Sequence, residues 1–179
     1  MYKRLFFCIC LISAIVFVGC LWQRNNIDQQ LPSIIKTAEN GTGNLTKWAI
    51  IYQSTLESYL LQDKALNENI DFIAINLSKL EFANDEDKKS IAAWFEKHYV
   101  PVKDTNLAGL KAEGLYDEKR MSIPNGVLLT IHEIIEKNNE IIIRGTKYRA
   151  SEGANGFETK WQLNNGIWKF VETVMIWIS

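Results

Sequence analysis

Beyond residue 20 the chain has no cysteine: its three are Cys8, Cys10 and Cys20. That absence excludes a disulfide within any downstream domain, and with it a cysteine nucleophile, a zinc–thiolate site and an iron–sulfur site. Histidine is nearly as scarce, with only His98 and His132. Paired imidazoles at helical spacing are therefore missing, and no Asp-x-Asp-x-Asp-Gly loop offers a calcium site in their place. Asp85, Glu86 and Asp87 are consecutive, point in different directions, and read as the acidic first turn of a helix. Charge of one sign is lacking too. Lys and Arg total 20 against 21 acids and are spread along the chain, which leaves no footprint for nucleic acid. With no paired catalytic groups and no nucleotide motif, the expectation is a non-enzymatic protein with no catalytic residue, metal or cofactor.

What is present begins at the N-terminus. Lys3 and Arg4 precede a run from Leu5 to Val18 that is apolar except for Ser13, and Gly19-Cys20 follows. This is the layout of a signal peptide, residues 1–19. A spanning helix needs about 20 apolar residues, a length reached only if Gly19, Cys20 and Trp22 are counted, so a retained anchor is the second reading. The segment Phe17-Val18-Gly19-Cys20 resembles the lipobox of bacterial lipoproteins, departing from it at Phe17, where leucine is commoner. The resemblance implies lipidation of Cys20 and a place on the extracytoplasmic face of the cell membrane. Its partners would then be the membrane, through the lipid, and an envelope protein or peptide.

Removing residues 1–19 from 179 leaves 160, enough for one domain with a real core. Residues 20–43 are rich in Asn, Gln, Gly and Thr without a sustained period and read as a tether. The domain is expected over 44–179. Leu45, Trp48, Ala49, Tyr52, Leu56, Tyr59 and Leu60 fall at helical spacing, which predicts a helix over about 45–62 with Asn44 as its cap. A short strand or extended segment over Ile70 to Leu77 precedes a second helix, about 85–99, stopped by Pro101. A third, short helix starts from Asp104 or Thr105 and ends at Gly114. Two hairpins close the chain: 126–135 with 140–148 around Lys137-Asn138-Asn139, and 157–163 with 168–178 around Asn164-Asn165-Gly166.

Helices first and strands last imply an α+β fold, with N-terminal helices packed on a curved antiparallel sheet built from a C-terminal four-stranded meander. In element order this outline resembles the nuclear-transport-factor-2-like and cystatin-like cone folds. The stretch from Gly145-Thr146-Lys147-Tyr148-Arg149 through Gly153-Ala154-Asn155-Gly156 to Trp177-Ile178-Ser179 is similar to small lipoproteins of Gram-positive-type bacteria, which implies an address and no chemistry.

Three candidate sites compete with plainer roles. Arg144, Lys147 and Arg149 lead into a loop at Ser151 to Gly156 whose glycines, Gly153 and Gly156, expose backbone N–H groups that could receive an anion or a carboxylate. The plainer reading is a wide turn needing glycine for positive φ. Asp71, Glu172 and His98 are the candidate bases if the cone holds an acid–base site, making a small enzyme the alternative function. His132 is expected on a sheet face. Trp48, Trp94, Trp161, Trp168 and Trp177 suggest a core or cavity lined with rings. A further alternative is an accessory subunit of a transporter or sensor, which an exposed apolar patch would favour.

Overall fold

The computed structural model describes residues 45–179. The leader, Cys20, the tether and Asn44 lie outside the described residues. The first helix, α1, runs Lys47–Leu61, capped by Thr46, whose side chain accepts a hydrogen bond from the Ala49 N–H. A 3-10 turn at Lys64–Asn67 leads to β1, Phe72–Ile75, whose four side chains are all buried. The second helix, α2, is Asp85–His98. Asn84 accepts from the Asp87 N–H while the Asp87 carboxylate accepts from the Asn84 N–H, a capping box of the type that fixes a helix start. Thr46 Oγ1 donates to the same carboxylate at 2.8 Å, tying the start of α1 to that of α2.

After Pro101 comes β2, Val102–Asp104, and then α3, Leu107–Ala112. Its cap is Asn106 rather than Asp104 or Thr105. Asp104 is committed elsewhere, in β2, where its carboxylate accepts from the Leu77 N–H. Gly114 holds φ 70 just past the helix, the left-handed residue that terminates it. Four long strands follow: β3 Gly126–Lys137, β4 Glu140–Ala150, β5 Gly153–Asn164 and β6 Ile167–Ile178. Asn138 at the first turn and Asn165-Gly166 at the last take positive φ, as the hairpin chemistry requires.

The strand order is β2-β1-β3-β4-β5-β6. The expected antiparallel meander is present as β3 to β6, yet the sheet has six strands rather than four and is mixed, because β1 runs parallel to both β2 and β3. Strands this short and enclosed show little alternation, and parallel neighbours need the crossover that α2 supplies. Register shifts at Ile131/Glu133, Tyr148/Ala150, Gly156/Phe157 and Lys160/Trp161 mark bulges, which bend and twist the long strands.

Two apolar layers sit on opposite faces of the sheet. The larger joins Tyr52, Leu56 and Tyr59 of α1 and Ile91 and Phe95 of α2 to Ile73, Leu129, Ile143, Phe157 and Trp161 of the sheet. The smaller packs Leu110 of α3 and Ile123 against Phe72, Ala74 and Leu128. Gly145 lets α1 come close, since a Cβ there would collide with the Thr130 carbonyl and the Tyr59 ring. No helix among the described residues is long and apolar enough to cross a membrane.

Candidate functional site

The basic residues of β4 do not converge on a loop. The turn after β4 is confined to Ser151-Glu152, while Gly153 and Gly156 belong to β5, and neither has the positive φ expected of a wide turn. Gly156 serves a different need: a Cβ there would run into the indole of Trp177, which lies over it. Arg144 faces the outer side of the sheet and is spent on two carboxylates, with Nε on Glu158 at 2.9 Å and Nη1 on Glu133 at 2.8 Å.

Lys147 and Arg149, two residues on, reach backbone carbonyls around the end of α1. Lys147 is fully buried, and its Nζ donates to the carbonyls of Leu60 at 3.0 Å, Gln62 at 2.7 Å and Asp63 at 3.0 Å. Leu60 is in the last turn of α1, Gln62 caps it and Asp63 follows, so the ammonium sits at the negative end of the helix dipole. Burial pulls the ammonium pKa down to about 8, against the pull of Asp63 and with a small push from Arg149. Arg149 donates to Leu66 and Glu68 through Nη1 and to Pro124 through Nη2. Both cations therefore act as clasps on the segment that follows α1.

The candidate bases also stand apart. His98 is exposed at the end of α2, stacked on Trp94 with centroids 4.3 Å apart and a ring nitrogen 2.8 Å from the Trp94 carbonyl. Asp71 is exposed ahead of β1, and Glu172 is exposed on β6. His132 sits at the β3 bulge on the outer face, with Nε2 2.8 Å from Thr146 Oγ1, and desolvation lowers its pKa, helped by Lys79. No group of three potential metal ligands occurs among the described residues.

Two features escaped the sequence reading. The first is that α1 is buried on every side from Ile51 to Leu60, including Gln53, Ser54, Thr55, Glu57 and Ser58. Several of these polar groups are satisfied inside. Trp161 Nε1 donates to Thr55 Oγ1 at 3.1 Å, Ser58 Oγ donates to the Thr55 carbonyl and lies 2.7 Å from Thr173 Oγ1, and Thr159 Oγ1 is 2.7 Å from the same Thr173 hydroxyl. Tyr59 donates to the Ile143 carbonyl, and Tyr99 donates to Glu57 Oε1 at 2.9 Å. Gln53 Nε2 and Ser54 Oγ make no hydrogen bond among the described residues. The available signal was Ile50, Ile51 and Leu61, which widen the apolar stripe beyond what a half-exposed helix needs.

The second feature is β6. Its exposed apolar side chains include Ile167 at 63%, Val171 at 47%, Ile176 at 50% and Ile178 at 69%. Of the five tryptophans considered above, Trp161 alone lies fully in the core. Trp48, Trp94 and Trp168 pack at its margin, and Trp177 is largely outside. No family model matches the chain, and neither a curated protein nor a solved structure does.

Proposed function

We propose that this chain is exported, lipidated on Cys20 and held on the extracytoplasmic face of the cell membrane, where its α+β domain works as a non-enzymatic binding or accessory module of the envelope. The observation that carries the reading is the leader, a basic start, an apolar run from Leu5 to Val18 and the Gly19-Cys20 junction. Two or three acyl chains at about 0.8 kcal/mol per buried CH₂ hold a protein firmly, whereas one does not. A helix laid against a bent meander supports a nuclear-transport-factor-2-like or cystatin-like layout, which by itself carries no activity. The exposed apolar residues of β6 favour the accessory reading, in which the module acts by contact with protein.

Intact-mass spectrometry of the protein extracted from its native membrane tests the anchor. The expected mass corresponds to cleavage before Cys20 plus a diacylglyceryl group, and Cys20→Ala should accumulate as the uncleaved, unlipidated chain. An unmodified full-length mass for the wild type would overturn the lipoprotein reading and leave residues 5–22 as a retained helix.

A further inference from the structure

We infer that β6 is the seat of a two-fold contact between copies of this chain, in which the β6 strands of two molecules pair antiparallel. Among the described residues nothing pairs with the far edge of β6, which leaves its outward N–H and C=O groups without a strand partner there. Proteins ordinarily blunt such edges by keeping them short, charged or interrupted by proline. The opposite edge obeys the rule: β2 is three residues long, two of them charged, and follows Pro101. The β6 edge does not. It has twelve residues, no proline and only two charges, Lys169 and Glu172, set among isoleucine, valine and tryptophan.

Those two charges decide the orientation. Neither is in an ion pair among the described residues: Lys160, opposite Glu172, feels its charge but reaches Glu140, and Gln162, opposite Lys169, is neutral. Glu172 pairs across the ladder with Lys160 and Lys169 with Gln162, residues two apart on β5, so both charges point to the same outer face. They do so although they are three apart on β6, because Val171 is the extra residue of a bulge. A two-fold axis between Phe170 and Val171 then sets Lys169 opposite the partner's Glu172 and Ile167 opposite the partner's Val174. The ion pair arises twice by symmetry, as an isologous contact demands. A parallel arrangement in register would set lysine on lysine and glutamate on glutamate. Bulges usually turn an edge away from partners, but the bulged residues here, Val171 and Ile176, are themselves exposed and apolar, so they add contact area.

The contact does not depend on the lipid anchor, which would only concentrate copies in a plane. Val171 lies beside the axis, so the full chain carrying Val171→Cys, oxidised mildly in its native membranes, should link to a second copy. In that register Val171 and its symmetry mate are offset by one residue, which puts their Cα atoms about 6 Å apart, within disulfide reach. Met121→Cys, equally exposed but set at the β4–β5 turn, at the other end of β5 from the bulge that holds Val171, should link at least about tenfold less. The wild type, oxidised alongside, reports any linkage through Cys8, Cys10 or Cys20, so a failed anchor reading would be seen separately. A Val171→Cys chain that stays monomeric, or that links to a protein of another mass, overturns the inference. Charge reversal gives an independent check by sedimentation of the detergent-solubilised protein. Lys169→Glu or Glu172→Lys alone should weaken self-association about tenfold, and the double reversal should restore it. Failure of the double reversal to restore it would equally overturn the pairing.

Discussion

Replacing Lys147 with methionine is expected to lower stability by roughly 2 to 4 kcal/mol at pH 9.5, and by less at pH 7. Methionine fills much of the same volume but donates nothing, so three hydrogen bonds are lost: the Leu60 and Asp63 carbonyls keep a second donor each, in Asn67 Nδ2 and the Leu66 N–H, and the Gln62 carbonyl loses the 2.7 Å bond from Lys147. The pH dependence follows from the amine's position. Burial brings its folded pKa to about 8, from an ordinary 10.5. Between those values the unfolded chain carries the proton and the folded chain does not, so wild-type stability should rise with pH, by up to about 1.4 kcal/mol per unit. Below pH 8 the folded protein must ionise a buried amine, a cost that methionine never meets, and the mutant's deficit shrinks.

Above pH 10 the tyrosines reverse the trend. Burial pushes Tyr52 up to about 12 and raises Tyr59, Tyr99 and Tyr148 as well. Their neutral forms are held in the folded state while the unfolded chain ionises, so their contribution is lost as pH climbs from 10. Wild-type stability should therefore peak between about pH 8 and 10.5, the window between the two lysine values. Urea midpoints measured across pH 7 to 11 for both proteins check the sign. A flat wild-type profile from 8 to 10, or a rise that survives in the mutant, would show that Lys147 is not the group responsible.

Trp161→Ala should cost about 3 to 5 kcal/mol, the range for deleting a large buried ring. The side chain is almost wholly buried, packs edge-to-face on Phe170 with centroids 5.5 Å apart, and donates to Thr55. Truncation opens a cavity between α1 and the sheet and leaves the Thr55 hydroxyl without its donor in a dry place. Trp161→Phe keeps most of the volume and removes the N–H, so it should cost about 1 to 2 kcal/mol. The gap between the two variants separates packing from hydrogen bonding. A Trp161→Ala protein within 1 kcal/mol of wild type, by denaturant unfolding, would mean that the ring is not a pillar of the α1 interface.

The long strands, the turns and α2 were legible because each announces itself locally. Asn165-Gly166 can only turn, Phe157 to Leu163 alternates, and Asp85 to Asp87 behind Asn84 spells a helix start. The parallel strands were legible only in part. Val102-Lys103-Asp104 is too short to show a period, and its partner β1 lies 29 residues earlier at Ile73↔Val102, a distance over which local pattern says nothing. The candidate site fared worst for a similar reason. Lys147 and Arg149 look like solvated charges beside glycines until the end of α1, more than 80 residues away, is brought against them. What β6 presents to its free edge was invisible too, because alternation shows that a strand has two faces and is silent on whether it has a neighbour.

The chain separations within the α1 interface bear on the order in which the protein assembles. The hairpins β3–β4, β4–β5 and β5–β6 join segments adjacent in sequence, whereas Trp161 meets Thr55 across 106 residues and Thr173 meets Ser58 across 115. Closing loops of that size loses more chain entropy before any contact repays it, so the meander should form early and α1 dock late. Because synthesis runs from the N-terminus, α1 leaves the ribosome long before the strands that will enclose it. Gln53, Ser54, Thr55, Glu57 and Ser58 then have a use that the folded state conceals: they keep a helix destined for burial hydrated while it waits. Pulse-labelling hydrogen exchange during refolding should find the β3–β6 amides protected ahead of those of α1, and the reverse order would refute this account.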